Sequence, residues 1–209
     1  MTTVLTPSPL FEAVEPVTRL SPGSNGMLMT SEEFGDVTEA ERGYRYELIR
    51  GIVIVSPPPS PASRGPNEEL GRLLLNYRDD HPLGKAMDDT LPENYVRVED
   101  DWRIADRAIW CGLGRRPNAD NDVPTIAVEF VSVGSRSRRR DYIEKRNQYI
   151  ARGVREYWII DRFRRSLAVV FADGKDQVFG EKAIYETPLL PGFELPMEKL
   201  LSLADRWAK

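Results

Sequence analysis

The chain is short of histidine and cysteine, and this shortage excludes several kinds of site. One histidine, His81, and one cysteine, Cys111, occur among the 209 residues. A single histidine excludes zinc and iron sites built from several imidazoles, and it argues against most Ser-His and Cys-His nucleophilic mechanisms. A single cysteine excludes an internal disulfide and a thiolate metal cage. Any catalytic or binding site must therefore use other side chains.

Long apolar runs are also missing. No stretch approaches the length of a membrane helix, and the first residues lack a basic region followed by an apolar one. We therefore expect a cytoplasmic protein without a membrane partner. A hydrophobic content of 41% is enough to bury the core of one domain. Residues 1–26, rich in Thr, Ser, Pro and Gly, are predicted to be a flexible tail before a domain over residues 27–209.

Helix and strand patterns alternate along that domain and predict a mixed α/β fold. Thr30 and Glu33 have the form of a capping box before a short helix. Longer helices are predicted over residues 67–78 and 138–152, the second ending at Gly153. Besides the two strands that hold Asp106 and Glu129, strands are predicted over residues 44–49, 52–55, 85–88, 94–98, 166–172 and 177–185. The order predicts a long helix packed between sequential strands of a central sheet.

Two carboxylates lie within apolar, strand-like runs. Asp106 follows Ile104 and Ala105, and Glu129 lies in Ile126-Ala127-Val128-Glu129-Phe130-Val131. Buried acids need a cation or hydrogen bonds, and structural ion pairs with Arg103, Arg107 or the later arginine run are the alternative explanation. A divalent cation such as Mg²⁺ or Mn²⁺ takes one or two carboxylates and keeps several waters. Asp106 and Glu129 are therefore predicted to be metal ligands and catalytic residues.

A lysine follows these acids on a helix. Asp141, Lys145 and Tyr149 are spaced by four residues and share one helix face. Lys145 is a candidate catalytic residue that would orient or deprotonate an attacking water, or neutralise charge developing on a phosphate; Arg146 and Lys85 are alternatives for this role. Asp141 either faces the metal or caps and ion-pairs on its own helix.

Glu47 is the fourth catalytic candidate. It lies in the strand-like run Tyr46-Glu47-Leu48-Ile49, where apolar residues flank the acid. An ion pair with Arg45 or Arg50 is the alternative explanation for its position.

Positive charge is concentrated in one segment. Residues 136–165 contain eleven Lys or Arg and four Asp or Glu, although the whole chain has a formal charge of −4. A local basic surface can attract a polyanion even on an acidic protein. We predict nucleic-acid contacts by Arg136, Arg138, Arg139 and Arg140, and a solvated helix face is the alternative.

Several motifs together resemble a known family. They are Tyr46-Glu47-Leu48-Ile49, Ser56-Pro57-Pro58, Val128-Glu129-Phe130-Val131-Ser132, Asp141-x3-Lys145-x3-Tyr149-x3-Gly153 and Glu156-Tyr157-Trp158-Ile159-Ile160-Asp161. This pattern, over about residues 28–200, resembles the Uma2 family, also called DUF820. The resemblance implies a restriction-endonuclease-like fold of the PD-(D/E)XK type, with a central mixed β-sheet flanked by helices, and a Mg²⁺-dependent nuclease activity.

The resemblance also implies roles for individual residues. Asp106 and Glu129 match the acids of the two half-motifs. Val131 occupies the position of the motif lysine, so Lys145 is identified with a lysine moved to the following helix.

Two functional hypotheses remain open. The first is a Mg²⁺-dependent endonuclease that hydrolyses DNA as a homodimer, since nucleases of this fold often dimerise. The second is a nuclease-fold module that binds nucleic acid or a protein partner with little or no catalysis. A simple dimerising accessory protein would leave the apolar surroundings of Asp106 and Glu129 unexplained.

Overall fold

The computed structural model describes residues 17–207, without the side chains of residues 136 and 137. The strands are β1 (Arg19–Leu20), β2 (Glu39–Ala40), β3 (Arg45–Ile49), β4 (Ile52–Ser56), β5 (Met87–Val98), β6 (Asp101–Cys111), β7 (Ile126–Phe130), β8 (Glu156–Asp161), β9 (Ser166–Phe171), β10 (Asp176–Gly180), β11 (Ile184–Glu186) and β12 (Glu194–Pro196). The helices are α1 (Ser31–Gly35), α2 (Pro61–Asp80), α3 (Ser135–Arg139), a π-helical segment (Arg140–Lys145), α4 (Arg146–Arg152) and α5 (Met197–Asp205).

A mixed eight-stranded sheet forms the centre of the fold. Its order is β10-β9-β8-β7-β6-β3-β4, and β5 pairs with β6. The β7–β8 pair is parallel, and the other pairs of this sheet are antiparallel. The parallel pair requires a crossover, which α3, the π-helical segment and α4 provide. The predicted α/β class with a central mixed sheet is confirmed.

Helices cover both faces of the sheet. On one face, residues of α2 and α5 such as Leu74 and Leu200 pack with Val128 and Trp158. On the other face, Tyr149 of α4 packs among small and branched residues of β7 and β8. These two cores fix the crossover helix and the strands beneath it. Among the helices of residues 17–207, none combines the length and apolarity needed to cross a bilayer.

One edge of β6 is shared by two different strands. β7 pairs with β6 at Arg107–Ile109, whereas β3 pairs with it at Trp102. Between these points, residues 103–106 have no strand partner on this edge within the described structure. We call this opening the fork. Backbone groups at the fork must be satisfied by side chains or water, because buried N–H and C=O groups are seldom left unpaired.

The structure confirms several local predictions. Thr30 Oγ1 accepts a hydrogen bond from the Glu33 backbone N–H, and Glu33 Oε2 accepts one from the Thr30 N–H, as in a capping box. The strands predicted over residues 44–49 and 52–55 are present as β3 and β4, which form a hairpin, and β9 and β10 form another at the sheet edge. Gly153 ends α4 with a φ of 104°, a left-handed conformation that favours glycine.

Several predicted elements differ in the structure. The strand predicted over residues 177–185 is divided into β10 and β11, because β11 pairs with β12 outside the central sheet. Helix α2 begins at Pro61, six residues early, because proline is favourable in a first helical turn and burial of the following residues offsets the hydrogen bond that Pro66 lacks. The strands predicted at 85–88 and 94–98 form one strand, β5. Pro92 is tolerated there because β5 pairs only with β6, which leaves its other edge open in the described structure. The crossover helix includes a π-helical segment that was not predicted.

The C-terminal part of the predicted tail, from residue 17, packs onto the domain. Residues 1–16 lie outside the described residues, but β1 pairs with β2 and Leu20 is buried among Phe34, Tyr46 and Leu48. The segment from residue 19 therefore belongs to the domain, because Leu20 contributes to its hydrophobic core.

A buried arginine connects α2 to the sheet. The Arg107 guanidinium donates to the Asn67 side-chain oxygen (2.7 Å), to the Asn67 backbone carbonyl (2.9 Å) and to Thr90 Oγ1 (3.2 Å). Asn67 Nδ2 in turn donates to the Asp106 carbonyl (2.8 Å). Because the guanidinium lies against Gly71, a Cβ atom at that position would approach Arg107 to 2.5 Å.

This contact predicts opposite effects for two glycines of α2. Gly71→Ala is expected to lower the unfolding temperature, because overpacking against a fixed side chain costs ~1–3 kcal/mol. Gly65→Ala is the matched control, since a Cβ there meets its nearest atom at 3.4 Å and alanine gains ~1 kcal/mol over glycine in a helix. Thermal unfolding measures both. Equal stabilisation by the two substitutions would contradict the packing described for Arg107.

Candidate active site at the fork of the sheet

Asp106 and Glu129 lie side by side at the fork. The register that pairs Arg107 with Val128 places Asp106 opposite Glu129 one step further along the two strands. Asp106 Oδ2 accepts a hydrogen bond from the Phe130 backbone N–H (2.8 Å). Both carboxylates are buried, with exposures of 5% and 2%. The apolar runs of the sequence therefore bury two acids next to each other, which requires compensation by positive charge.

Lys145 supplies part of that charge. Its Nζ donates to Glu129 Oε1 (2.7 Å) and to the Ile104 carbonyl (2.6 Å), and it lies 3.7 Å from Glu47 Oε1. Lys145 is 1% exposed. The ammonium thus enters the fork from the crossover helix and satisfies a backbone carbonyl that no strand reaches.

Glu47 closes the opposite side of the fork. Its Oε1 accepts a hydrogen bond from the Ile104 backbone N–H (3.0 Å). Burial by itself would raise the pKa of Glu47, but the Lys145 ammonium, with help from Arg140, holds that pKa below its usual value. Glu47 therefore stays ionised at neutral pH and supports the position of Lys145. The alternative ion pair with Arg45 or Arg50 is not formed.

Asp141 also faces this group of acids. It is buried, and Arg140 Nε donates to its Oδ1 (3.2 Å). Burial raises the pKa of Asp141, although Lys145 and Arg140 oppose the shift. Its place in the π-helical segment fits a general observation, because single π-turns within α-helices are frequent at functional sites.

The cluster contains more acids than cations in direct contact with them. Four carboxyl groups (Glu47, Asp106, Glu129 and Asp141) contact three cations (Arg45, Arg140 and Lys145). Burial raises the pKa of Glu129 to about 8, and the neighbouring Asp106 and Asp141 add to this rise against the effect of Lys145. A group of buried acids short of positive charge is an environment that favours a further cation.

Sequence reasoning missed two residues of this cluster. Arg45 NH1 donates to Asp106 Oδ1 (2.9 Å), whereas the sequence considered Arg45 only as a partner of Glu47. Asn67 holds the Asp106 backbone, and no signal in the sequence pointed to it. The suggested structural partners of the acids are engaged elsewhere: Arg103 Nε donates to Gln148, and Arg107 contacts Asn67 and Thr90.

Of the four arginines predicted to bind nucleic acid, the three whose side chains are described do not share one surface. The side chain of Arg136 lies outside the described structure. Arg138 lies over the Phe163 ring, Arg139 is exposed and approaches Glu144 at 3.8 Å, and Arg140 turns inward to Asp141. Consecutive residues of a helix point in different directions, so this basic run is divided between the site and the surface.

Comparisons with known proteins support the family resemblance seen in the sequence. The Uma2 family, described as "Putative restriction endonuclease", matches residues 31–198. The chain belongs to the Uma2 family. A crystal structure described as "a putative nuclease belonging to DUF820", from Anabaena variabilis, is similar to this Uma2 chain with a TM-score of 0.68 and 16% identity. The similarity covers 84% of this chain and 99% of that one. No curated protein sequence matches significantly.

These comparisons confirm the predicted family and the restriction-endonuclease-like fold. The catalytic and metal-binding roles of Glu47, Asp106, Glu129 and Lys145 remain predictions for this Uma2 protein. Their proximity in one buried cluster is the structural basis on which those roles can be proposed.

The raised pKa of Glu129 predicts how stability depends on pH in the absence of metal. Between the ordinary pKa of 4.5 and the folded value of about 8, the folded protein holds a proton that the unfolded chain has released. The protonation of Glu129 therefore stabilises the folded protein at low pH, and this stabilisation is lost as the pH rises through the folded pKa of about 8. Glu129→Gln cannot titrate, so the parent should lose stability relative to this variant between pH 5 and pH 8.

Denaturation in the presence of chelator at several pH values measures this difference. Asp173→Asn, at an exposed carboxylate of the β9–β10 turn, is the control and should follow the parent. A difference between the parent and Glu129→Gln that does not change with pH would contradict the assignment.

Proposed function

We propose that this protein is a metal-dependent endonuclease that hydrolyses phosphodiester bonds in DNA. The observation that supports this most is the Lys145 ammonium, which is fixed between Glu129 and the Ile104 carbonyl beside Asp106. A cation next to two carboxylates is the arrangement needed to hold a metal ion and to stabilise charge on a phosphate at the same point.

The residues present fit a hard divalent cation. Within residues 17–207, no three His, Cys, Asp or Glu side chains form a ready metal cage. Mg²⁺ and Mn²⁺ do not need one, because one or two carboxylates with water and substrate oxygens complete their shell. Asp106 and Glu129 would hold the ion, and the excess of acids in the cluster favours it. When bound, such an ion polarises a phosphoryl oxygen and lowers the pKa of water.

The protein's own groups would perform distinct tasks. Lys145 has three N–H donors, of which two are used by Glu129 and Ile104, so the third is available to orient water or a phosphate oxygen. The negative charge of Glu47 attracts the Lys145 ammonium. The Glu47 carboxylate is itself held by the hydrogen bond that it accepts from the Ile104 backbone N–H. Phe130 N–H and Arg45 fix the orientation of the Asp106 carboxylate. Fixed donors of this kind cost little reorganisation during reaction.

A module that binds without cutting is the second candidate function. Both Asp106 oxygens already accept hydrogen bonds, one from Arg45 and one from Phe130, and Lys145 is almost completely buried. A metal ion would have to share Asp106 with Arg45. The homodimer expected from the fold likewise stays a prediction. Cleavage assays distinguish these two functions.

Plasmid cleavage is expected with Mg²⁺ or Mn²⁺ and should stop when chelator is added. Lys145→Ala should reduce the cleavage rate by ~100-fold or more, the scale of losing one group that stabilises developing charge. Lys145→Met provides a second variant that retains the volume of the buried stem. Asp106→Asn is the inactive reference, and Lys175→Ala, at an exposed lysine, should cleave like the parent.

Thermal unfolding of each variant in chelator verifies that it is folded. If folded Lys145→Met cleaves at the parent rate beside an inactive Asp106→Asn, another cation performs the role assigned to Lys145. If the parent cleaves no DNA with either metal but binds it, the second function is supported.

Metal binding should also stabilise the protein. At tenfold excess over its dissociation constant, an ion contributes ~1.4 kcal/mol, which raises the unfolding temperature of a domain of this size by about 3–6 °C. Asp106→Asn and Glu129→Gln should show little of this rise, whereas Asp173→Asn should show all of it. Equal shifts in all four proteins would mean that the ion binds elsewhere.

A further inference from the structure

The turn after β8 presents an exposed aromatic ring surrounded by arginines. Phe163 is 39% exposed, and the guanidinium carbons of Arg162 and Arg138 lie 4.3 and 5.2 Å from its ring centroid. Beside it, the guanidinium of Arg164 lies 5.0 Å from the centre of the Tyr142 ring. We call these five residues the Phe163 platform.

The positive charge of this platform is poorly compensated. Within the described residues, the Nε atoms of Arg138 and Arg162 have no hydrogen-bond partner, and neither guanidinium forms an ion pair. Arg164 approaches the buried carboxylate of Asp161 at 3.8 Å. Among the described residues, Arg164 is thus the one guanidinium of these three that approaches an acid, so the platform should attract an anion.

The platform is held in place by that same acid. Asp161 Oδ1 accepts hydrogen bonds from the backbone N–H groups of Phe163 (2.8 Å) and Arg164 (3.0 Å), and its Oδ2 accepts one from the Tyr142 hydroxyl (3.0 Å). Asp161 is fully buried. The aromatic ring is therefore presented by a fixed turn, which lowers the entropy cost of binding.

The platform lies at the same end of the sheet as the acid cluster. In the parallel β7–β8 pair, Glu129 is opposite Ile159 and Phe130 is opposite Ile160, so the turn after β8 neighbours the end of β7. Tyr142 directly follows Asp141 in the π-helical segment. A nucleic acid that reached the cluster would therefore pass close to the platform.

We infer that the Phe163 platform stacks an unpaired base of the nucleic-acid substrate, so that the protein prefers single-stranded DNA to a continuous duplex. This rests on the proposed function and specifies its substrate. Aromatic rings and guanidinium planes both stack on bases without regard to sequence, while arginines contact the phosphates. A duplex hides its base faces, and exposing one costs unstacking energy. An acidic peptide would use the arginines but not the ring.

Binding without cleavage tests this preference. The full chain, in chelator, is titrated into three labelled ligands: a single-stranded oligonucleotide, its duplex, and the same single strand with abasic positions. The parent should bind the single strand about tenfold more tightly than the other two, within the range measured for one stacked base. Phe163→Ala should remove this advantage and leave the affinities for the duplex and the abasic strand unchanged.

Two further variants sharpen the result. Phe163→Trp should keep the preference, and its added fluorescence should be quenched by the single strand but not by the abasic strand. Val178→Ala, at an exposed apolar residue of β10, is the control and should bind like the parent.

Other results would overturn the inference. One is equal affinity of the parent for all three ligands. Another is an equal loss of affinity for all three ligands in Phe163→Ala. A third is that polyglutamate displaces the single strand equally well from the parent and from Phe163→Ala. The two proposals can fail separately. If cleavage depends on Lys145 but Phe163→Ala binds all three ligands like the parent, only the inference about the platform is rejected. If the preference for the single strand depends on Phe163 but the protein cleaves no DNA, only the proposed endonuclease function is rejected.

Discussion

The rest of the site depends on the buried ammonium of Lys145. It connects three strands at the fork, because it contacts Glu129 of β7, the Ile104 carbonyl of β6 and, at a longer distance, Glu47 of β3. Removing one partner of such a buried group typically costs 3–5 kcal/mol, because the remaining charges lose their compensation. The same side chain therefore compensates buried groups of three strands and provides the charge that the proposed reaction uses. This double role makes the position hard to replace by any neutral residue.

Much of the site could be predicted from the sequence because its signals are local. The four-residue spacing of Asp141, Lys145 and Tyr149 fixed a helix face, and the apolar runs around Asp106 and Glu129 indicated buried acids. The fork could not be predicted, since it arises where two distant strands share one edge of β6. The contact between Arg45 and Asp106 spans 61 positions and has no local pattern. The continuous β5 and the π-helical segment likewise depend on tertiary surroundings, which override local preference.

The basic run shows how far composition can mislead. Arg138, Arg139 and Arg140 look equivalent in sequence, yet helix geometry turns them towards the Phe163 ring, the solvent and Asp141 respectively. One of them balances the acids, and another belongs to the proposed base-binding platform. Net charge per segment indicated where positive charge is concentrated, but only the structure shows the different surroundings of each guanidinium.

The contact network of Arg107, Asn67 and Gly71 has a consequence for how this protein can change in evolution. Asn67 uses its carbonyl oxygen for Arg107 and its amide nitrogen for the Asp106 backbone, so its side chain has one useful orientation. Gly71 leaves the space that the guanidinium fills. Substitutions at these positions are therefore strongly epistatic: a larger residue at 71 becomes acceptable only after Arg107 has been shortened, and shortening Arg107 frees Asn67. Such a set constrains the lineage to change its members together.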